Sequence, residues 1–525
     1  MASLNDLPNE LLDNILARLD SRDALRLSMT CKSMRAAALP TAYRSIVMKW
    51  INGPVPESPE AIVPRIHALL RTLLKSPELV KLVRSLDFRA EGCVFLQDEG
   101  EPRISVPQIS DEITQEDQSL FADAIEALQL PDFELCKVIF VQQPGEAPII
   151  QMLLLAYCTQ LTSISFAIEF LMESDWIAMF VENTVTAPRG HPLSGLLKTL
   201  TEVRVTSDTE GYIWSSDYTV VLMSILRLFY LPCVETLVLT SFVDDNEEGV
   251  LWRDEENPFR WPLRTPPWAE KLTHLQLLRS SISPELIDMI LQQTPNLHTF
   301  DYECIKYPDS GCLDLPLLRG ALGHVRNTLT TLIIRYEIYD DEEEGLVAQD
   351  TFSITEGSLG PFDDFPVLTD LITSMAVLFG SDVITMGRTP RLADFLPPKL
   401  QRLTLTDDLW LYPDFQQCFE GVDAMAILRT YFTGEKINDD WDDGGGYDTR
   451  GGDNWGAGKC YSRIRWHEFE QPGWKTATPE LRSFTYDLRE RGDKSFAYWT
   501  DERPREELKA VVQAQGIECE VLFDE

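Results

Sequence analysis

The residues best suited to chemistry lie in a segment rich in glycine, aspartate and tryptophan, at about residues 434–475. Residues 438–444 carry several aspartates, but their positions differ from those of an EF-hand calcium loop. Residues 444–448 do not complete a dinucleotide-binding fingerprint, and no strand is predicted before them. His467-Glu468 lacks the second histidine of a zinc-protease helix. We therefore interpret this segment as an irregular insertion, with a substrate-contact loop as the alternative.

Other patterns of catalysis or metal binding are also missing from the sequence. There is no G-x-S-x-G elbow and no P-loop, and the 6 histidines are scattered. The 10 cysteines form no C-x-x-C pair, which argues against a zinc site and a dense disulfide framework. With 84 acidic residues, no chosen pair of carboxylates is informative. We expect no catalytic residues, no metal and no cofactor.

The charge balance disfavours two classes of partner. Lys and Arg total 46 against 84 Asp and Glu, a formal net charge of −38. Nucleic acid and anionic membranes both attract clustered basic residues, so neither is an expected partner. The acid is concentrated at 244–248, 340–344 and 439–443, which we interpret as solvated loops.

The sequence also lacks targeting and membrane signals. No basic stretch followed by an apolar one opens the chain, so we expect no signal peptide. The best candidate for a membrane span, 220–239, is interrupted by Arg227, Pro232 and Glu235. We expect a cytoplasmic or nuclear location, or both.

The first forty residues predict three short helices. Pro8 suits a first helical turn, and leucines and an isoleucine follow at helical spacing up to Leu19. Asp20 and Ser21 are N-cap types for a second helix, and Thr30 is the predicted cap of a third, from residue 31 to about 39. Such helices bury little surface, so the remaining apolar stripe is expected to contact another protein.

This segment resembles an F-box over about residues 3–48, with Glu10, Asp23, Ser28, Cys31 and Lys32 at matching positions. F-box segments bind the small Skp adaptor of the Skp–cullin–F-box (SCF) ubiquitin ligase. The resemblance implies that the adaptor-facing positions include Leu7, Pro8, Leu11, Leu12, Ile15, Leu16, Leu25 and Leu27. It departs from the family after Lys32, where no aromatic residue follows. The alternative is a three-helix cap without a partner.

A six-residue phrase, apolar-x-x-apolar-x-apolar, then recurs in order. It stands at 83–88, 135–140, 161–166, 200–205, 234–239, 272–277, 297–302, 329–334, 368–373, 400–405 and 481–486. The phrase is similar to the strand of a leucine-rich repeat. Helices are predicted between phrases, most clearly after Ser283 and Pro284, which are an N-cap and first-turn pair. Parallel strands need such helical return paths.

These patterns predict an α/β protein: a small three-helix F-box followed by an irregular leucine-rich-repeat solenoid with a curved parallel sheet. The predicted division is an F-box at 1–48, a proline-containing, partly helical connector at 49–82, and the repeats at 83–525. Residues 392–411 look like the late repeats of fungal F-box leucine-rich proteins.

The favoured function is a non-catalytic substrate receptor that binds a Skp-type adaptor, through it a cullin, and a protein to be ubiquitinated. A Skp-bound scaffold without a ligase role is the alternative, and an enzyme with an unrecognised site is less favoured. Residues beside the central apolar position of each phrase are expected to point away from the core and bind the substrate. They include Glu202, Arg204, Val238, His274, Gln276, Asp301 and Ile333. The loops with acidic runs and the insertion are competing substrate sites.

Overall fold

Two compact units, Met1–Ser281 and Ile282–Glu525, make up the chain. A computed structural model describes residues 7–51, 62–92, 94–96, 102–104, 113–130, 136–138, 140, 147–173, 175–207, 218–244, 260–306, 312–338, 355–385, 391–408, 421–434, 472–489 and 497–523. Most of the predicted insertion and the acidic runs at 340–344 and 439–443 lie outside these residues.

Parallel strands form the sheet of the first unit. Its strands are β1 (Ser45–Ile51), β2 (Ser85–Glu91), β3 (Val94–Leu96), β4 (Pro102–Ile104), β5 (Ser163–Ala167), β6 (Glu202–Thr206), β7 (Thr236–Thr240) and β8 (His274–Ser280). The sheet order is β1-β2-β5-β6-β7-β8, and β3 and β4 form a separate antiparallel pair. All neighbours in the sheet are parallel. The predicted parallel sheet is therefore present in this unit.

The second unit has a sheet of the same kind. Its strands are β9 (Thr299–Lys306), β10 (Leu313–Asp314), β11 (Thr331–Ile338), β12 (Thr355–Glu356), β13 (Asp370–Ser374), β14 (Arg402–Thr406), β15 (Ser483–Asp487) and β16 (Glu518–Leu522). The parallel order is β9-β11-β13-β14-β15-β16, and β10 pairs separately with β12.

Helices occupy the intervals between strands. In the first unit they are α1 (Asn9–Leu16), α2 (Ser21–Ser28), α3 (Lys32–Arg44), α4 (Ile66–Lys75), α5 (Pro77–Val80), α6 (Gln115–Leu128), α7 (Ala147–Tyr157), α8 (Ile168–Glu173), α9 (Trp176–Thr186) and α10 (Tyr218–Leu228). In the second they are α11 (Pro284–Leu291), α12 (Leu315–Leu322), α13 (Met375–Thr385), α14 (Gly421–Thr433), α15 (Gly473–Ala477), α16 (Ala497–Thr500) and α17 (Glu502–Gln513). Ser283 caps α11 as predicted, because its side chain accepts from the Leu286 N–H.

The recurring phrases lie side by side in register. In the first unit the central apolar residues Leu86, Ile164, Val203, Leu237 and Leu275 face one another across neighbouring strands. In the second the matching row is Phe300, Leu332, Leu371, Leu403 and Phe484. Every one of these side chains is buried. Alternation along each strand therefore places one face on the core and the other outside.

A threonine ladder accompanies the phrase one residue before several strands. The Thr201 hydroxyl donates to the Thr162 carbonyl at 3.1 Å, and the Thr369 hydroxyl donates to the Thr330 carbonyl at 3.2 Å. The backbone N–H groups of Thr201 and Glu202 both donate to that same Thr162 carbonyl. The signal was present in the sequence as a repeated Leu-Thr pair at the start of the phrase, and our pattern did not include it.

One predicted strand is absent, and two strands were not predicted. The phrase at 135–140 does not form a strand, because residues 136–138 are helical. In addition, β1 and β16 carry no predicted phrase, yet β1 pairs with β2 and β16 pairs with β15. Strand β1 runs across residue 48, where the predicted F-box ends, and α4 and α5 lie in the predicted connector.

Candidate functional site

The apolar residues of helix α1 lie on two sides of the helix, one buried and one exposed. The N–H groups of Leu11 and Leu12 donate to the Pro8 carbonyl at 3.0 and 3.1 Å, which starts the helix. Leu12 and Leu16 are buried, whereas Leu11 and Ile15 are 51% and 37% exposed. Because residues four apart lie on the same side of a helix, each pair forms its own stripe. Only the second stripe is open to a partner.

The buried stripe belongs to a small local core. Leu12 and Leu16 of α1 pack with Met34 and Ala38 of α3. Partly buried residues complete this core: Leu19, Leu27 and Ala37. Leu12 and Leu16, two of the predicted adaptor-facing residues, therefore hold α1 against α3.

Helix α2 presents further exposed apolar side chains. Its N-cap is Asp20, as predicted, whose carboxylate accepts from the Asp23 N–H at 2.7 Å. Leu25 is 43% exposed and Met29, which ends the helix, is 73% exposed. Met29 carries no role in the sequence prediction, although it lies one helical turn after Leu25 and follows the same spacing.

The third helix begins at a different residue from the predicted cap. Cys31 is the N-cap of α3, and its sulfur accepts from the Met34 N–H at 3.5 Å. The Thr30 hydroxyl instead donates back to the Leu27 carbonyl at 2.8 Å, at the end of α2. A hydrogen bond with the Ser33 hydroxyl, followed by the bond from Met34, lowers the pKa of the exposed Cys31 thiol.

The predicted adaptor residues therefore fall into three groups. Pro8, Leu11, Ile15 and Leu25 are exposed, and Leu7 and Leu27 are half-buried. Leu12 and Leu16 are buried. The exposed large apolar residues of α1 and α2 are Leu11, Ile15, Leu25 and Met29. We call these four residues the docking surface.

Helix α3 continues directly into the sheet of the first unit. It ends at Arg44, and β1 begins at Ser45. The Ser21 hydroxyl of α2 donates to the Ser45 carbonyl at 2.9 Å, and the Arg84 N–H donates to the Arg44 carbonyl at 2.9 Å. At the other end of β1, buried Trp50 packs edge-on against Phe170 with ring centroids 4.9 Å apart. No loop separates the three N-terminal helices from the first strand.

The predicted substrate residues of the first unit occupy two rows of the outer sheet face. Glu202 and His274 flank Thr236 in one row, while Arg204 and Gln276 flank Val238 in the next. The Glu202 carboxylate pairs with Arg204 at 2.6 Å. Val238, a predicted substrate residue, is only 3% exposed and presents little surface to a partner.

The remaining two predicted substrate residues lie opposite each other in the second unit. Asp301 of β9 pairs in register with Ile333 of β11. Ile333 is half-buried and Asp301 is only 5% exposed, so Asp301 presents little surface to a partner. The position of a residue in the phrase determines on which face of the sheet its side chain lies. Neighbouring residues then determine whether that side chain is exposed to solvent.

The described part of the chain offers neither a metal cluster nor a membrane span. There, histidine, cysteine and acidic side chains nowhere form a group of three or more that could hold a metal ion. Within the same ranges, no helix is both long and apolar enough to cross a bilayer.

Comparison with known proteins gives one match. Residues 4–39 match the family model of the F-box domain, which covers α1, α2 and most of α3. Compared over its whole length with curated proteins, the chain has no match. F-box domains bind Skp-type adaptors within SCF complexes, so the match supports a general role in SCF-type substrate recognition.

Proposed function

Because the chain carries an F-box domain, we propose that it is the substrate-recognition subunit of an SCF-type ubiquitin ligase. In this proposal the F-box binds the Skp adaptor and, through it, a cullin. The parallel strands of the two units bind a protein target, which is ubiquitinated in the cytoplasm or the nucleus. The observation that carries the proposal is the F-box match at residues 4–39.

The exposure of the docking surface supports the part of the proposal that concerns the adaptor. Large apolar side chains at 37–73% exposure, on two successive short helices, are the kind of surface that a partner buries. Buried apolar anchors supply most of the binding energy at such interfaces. We accordingly assign adaptor contact to Leu11, Ile15, Leu25 and Met29, and a structural role to Leu12 and Leu16.

The sheets support the target half. We propose that they are degenerate leucine-rich repeats of the fungal F-box type, because the apolar phrase recurs in register on parallel strands. A receptor of this kind needs no active site of its own. It holds a lysine of the target close to the ubiquitin thioester, which converts a bimolecular encounter into a local one.

The test is a pair of variants on α1 that add equal charge. Leu11→Asp/Ile15→Asp places two carboxylates in the proposed interface, where burying uncompensated charge is costly. Asn14→Asp/Ala17→Asp adds the same charge at two exposed positions outside the apolar stripe. We expect the first variant to lose adaptor affinity by at least about 100-fold and the second to bind as the parent does.

Circular dichroism checks that both variants are folded. The amounts of adaptor and cullin that co-purify with each variant are then measured. Equal adaptor binding by the Leu11/Ile15 variant would reject the docking surface. Retention of the adaptor by the parent without any cullin would instead identify a Skp-bound scaffold. Leu12 is avoided because a charge there would disrupt the local core.

A further inference from the structure

The last strand of the second unit's sheet, β16, has one paired edge and one open edge. It ends the order β9-β11-β13-β14-β15-β16 and pairs with β15. Glu518 and Leu522, at the two ends of β16, make backbone hydrogen bonds to the residues just before and just after β15, each 2.9 Å long. Backbone groups alternate in direction along a strand, so those of Cys519 and Val521 point away from β15.

These two residues place four backbone groups on the open edge. Within the described residues, neither the N–H nor the C=O of Cys519 or Val521 has a hydrogen-bond partner on that side. Both residues are half-buried, so the edge is accessible from solvent. N–H and C=O groups that alternate along a strand edge fit one kind of occupant, an extended backbone that pairs with them as a further strand.

Strand β1, at the edge of the first unit's sheet, differs because its own chain covers it. At one end of β1, the Ser21 hydroxyl donates to the Ser45 carbonyl at 2.9 Å. At the other end, Ile51 and Ile62 exchange two backbone hydrogen bonds of 3.0 and 2.7 Å. In the part of the chain that the structure describes, β16 has no such cover on its outward edge.

Two glutamates give the outer side of the open edge a negative charge. Glu518 and Glu520 are exposed, and neither forms an ion pair with a residue that the structure describes. Their register partners on β15 are Ser483 and Thr485, which carry no charge. A basic side chain on an added strand would lie beside these carboxylates, at a distance where opposite charges attract across neighbouring strands.

The inner side of the same edge is apolar. Cys519 and Val521 lie in register with buried aromatic residues of β15. Burial raises the pKa of the Cys519 thiol to about 11, so this side chain is uncharged at neutral pH. The nearby cation on this side, Lys509 of α17, is already paired with Glu506 at 2.8 Å. An added strand should therefore place apolar side chains here and basic ones on the outer side.

A second copy of the chain is a poor occupant for this edge. When Cys519 of one copy lies opposite Val521 of the other in an antiparallel pair, Glu520 faces Glu520 of the second copy. Like charges directly opposite each other on neighbouring strands are destabilising. The formal net charge of −38 adds repulsion between the two chains. The charges therefore favour a basic partner over self-association.

We propose that the open edge of β16 binds an extended segment of a partner protein that carries basic side chains at alternate positions. The backbone of the segment pairs with Cys519 and Val521. Its basic side chains lie beside Glu518 and Glu520, and its intervening apolar side chains extend the core. This binding does not depend on the proposed ligase role; only the identification of the partner as a ubiquitination target rests on that role.

The probe is a short fluorescent peptide of alternating lysine and valine, and fluorescence anisotropy with the purified full chain measures its affinity. Two further versions carry backbone N-methyl groups, one at every lysine and the other at every valine. In a strand, one of these sets of N–H groups faces β16 and the other faces solvent. We expect one version to lose at least about tenfold in affinity and the other to bind as the unmodified peptide does.

The version that loses affinity also gives the orientation of the added strand. Loss on methylation at lysine indicates a parallel strand, and loss on methylation at valine indicates an antiparallel one. Equal loss by both versions, no loss by either, or no measurable binding of the unmodified peptide would overturn the proposal.

A variant of the chain tests the same edge from the other side. Val521→Pro removes an outward N–H group and keeps the hydrogen bonds to β15, a position at which edge strands tolerate proline. The control Val521→Thr keeps the N–H group and the branched shape. We expect Val521→Pro to weaken peptide binding at least about tenfold and Val521→Thr to leave it nearly unchanged, with both variants melting close to the parent temperature. Equal binding by the proline variant and the parent would contradict strand pairing at β16.

A pair of double variants separates the two glutamates from the general charge of the chain. Glu518→Gln/Glu520→Gln should weaken the peptide by about three- to tenfold. Glu78→Gln/Glu285→Gln removes the same charge from exposed positions on α5 and α11 and should not. Equal losses in both double variants, or equal binding of a peptide with glutamate in place of lysine, would overturn the proposal.

Two further measurements separate this proposal from its alternatives. Sedimentation velocity tests self-association: a parent dimer that Val521→Pro dissociates would identify a second copy as the occupant and overturn the proposal. Adaptor co-purification should be normal in all these variants. A failure at β16 is therefore distinguishable from a failure of the F-box assignment.

Discussion

Cys158 and Cys31 carry the same thiol, and the fold changes their acidity in opposite directions. Burial at the end of α7 raises the pKa of Cys158 to about 12, from an ordinary value of 9.0. Hydrogen bonds at the start of α3 lower the pKa of Cys31, which is exposed. Both effects follow from which form of the thiol each environment stabilises: the neutral one in the core, the thiolate at the helix start.

Cys158 should make the first unit less stable at alkaline pH. Between pH 9 and about 12 the unfolded thiol loses its proton while the folded thiol keeps it. The folded state then binds more protons, so the free energy of unfolding falls as pH rises, by at most about 1.4 kcal/mol per pH unit. Urea unfolding at pH 8 and pH 10 measures the change.

Cys158→Ala should reduce this alkaline loss, although it lowers stability at both pH values by leaving a small cavity. Cys31→Ala is the control, because its thiol has a lowered pKa and cannot cause a loss of the same sign. An alkaline loss of equal size in the parent and in Cys158→Ala would show that the Cys158 thiol is not responsible.

Individual residues also show how far the sequence determines the candidate site. Spacing identified the apolar stripe of α1, but it could not separate Leu11 from Leu12, since both lie on one broad face until α3 packs against it. Alternation correctly placed Leu275 and Leu332 inside. It could not foresee that Val238 and Asp301, on the opposite face, are covered as well.

At the scale of elements, the apolar phrase predicted strands because it describes a face that alternates every second residue. At 135–140 a helical spacing competes with the phrase: Cys136 and Phe140, four residues apart, are buried, Val138 between them is 47% exposed, and residues 136–138 are helical. Strand β1 was missed for another reason: its sequence SIVMKWI begins immediately after α3, with no turn residues to mark the change. β16 carries the charged sequence ECEVL, so only pairing with β15 identifies it as part of the sheet.

The direct passage from α3 to β1 predicts that the N-terminal helices hold a fixed position on the first sheet. Inserting Gly-Gly-Ser between Arg44 and Ser45 should leave the docking surface able to bind the adaptor. It should separate the two carbonyls that accept from Ser21 and Arg84, at a cost of about 0.5–1.5 kcal/mol for each hydrogen bond. Adaptor binding, melting temperature and ubiquitination of a captured target are the three measurements.

We expect this insertion to lower ubiquitination more than adaptor affinity, because a flexible joint reduces the effective concentration of the target lysine at the thioester. The control places the same three residues after Gly92, at the end of β2, away from the N-terminal helices. Full ubiquitination by the Arg44–Ser45 insertion would show that a fixed geometry is unnecessary.

For the whole molecule, the formal net charge of −38 is the dominant electrostatic property. Like charges repel more strongly in the compact state than in the expanded chain, so self-repulsion lowers stability. Ion pairs such as Lys49–Glu91 neutralise parts of the first sheet but leave the excess acid elsewhere. Salt shortens the range of that repulsion, from about 30 Å at 0.01 M to about 8 Å at 0.15 M.

The melting temperature at neutral pH should therefore rise with sodium chloride over this range. A gain of about 1 kcal/mol in the free energy of unfolding would correspond to about 2–4 °C for units of this size. Closer to the isoelectric point near 4.5, carboxylates begin to bind protons, and the same addition of salt should have a smaller effect. Scanning calorimetry at two pH values and two salt concentrations gives all four temperatures. A melting temperature that falls with salt at neutral pH would mean that attractive ion pairs outweigh the repulsion of the excess acid.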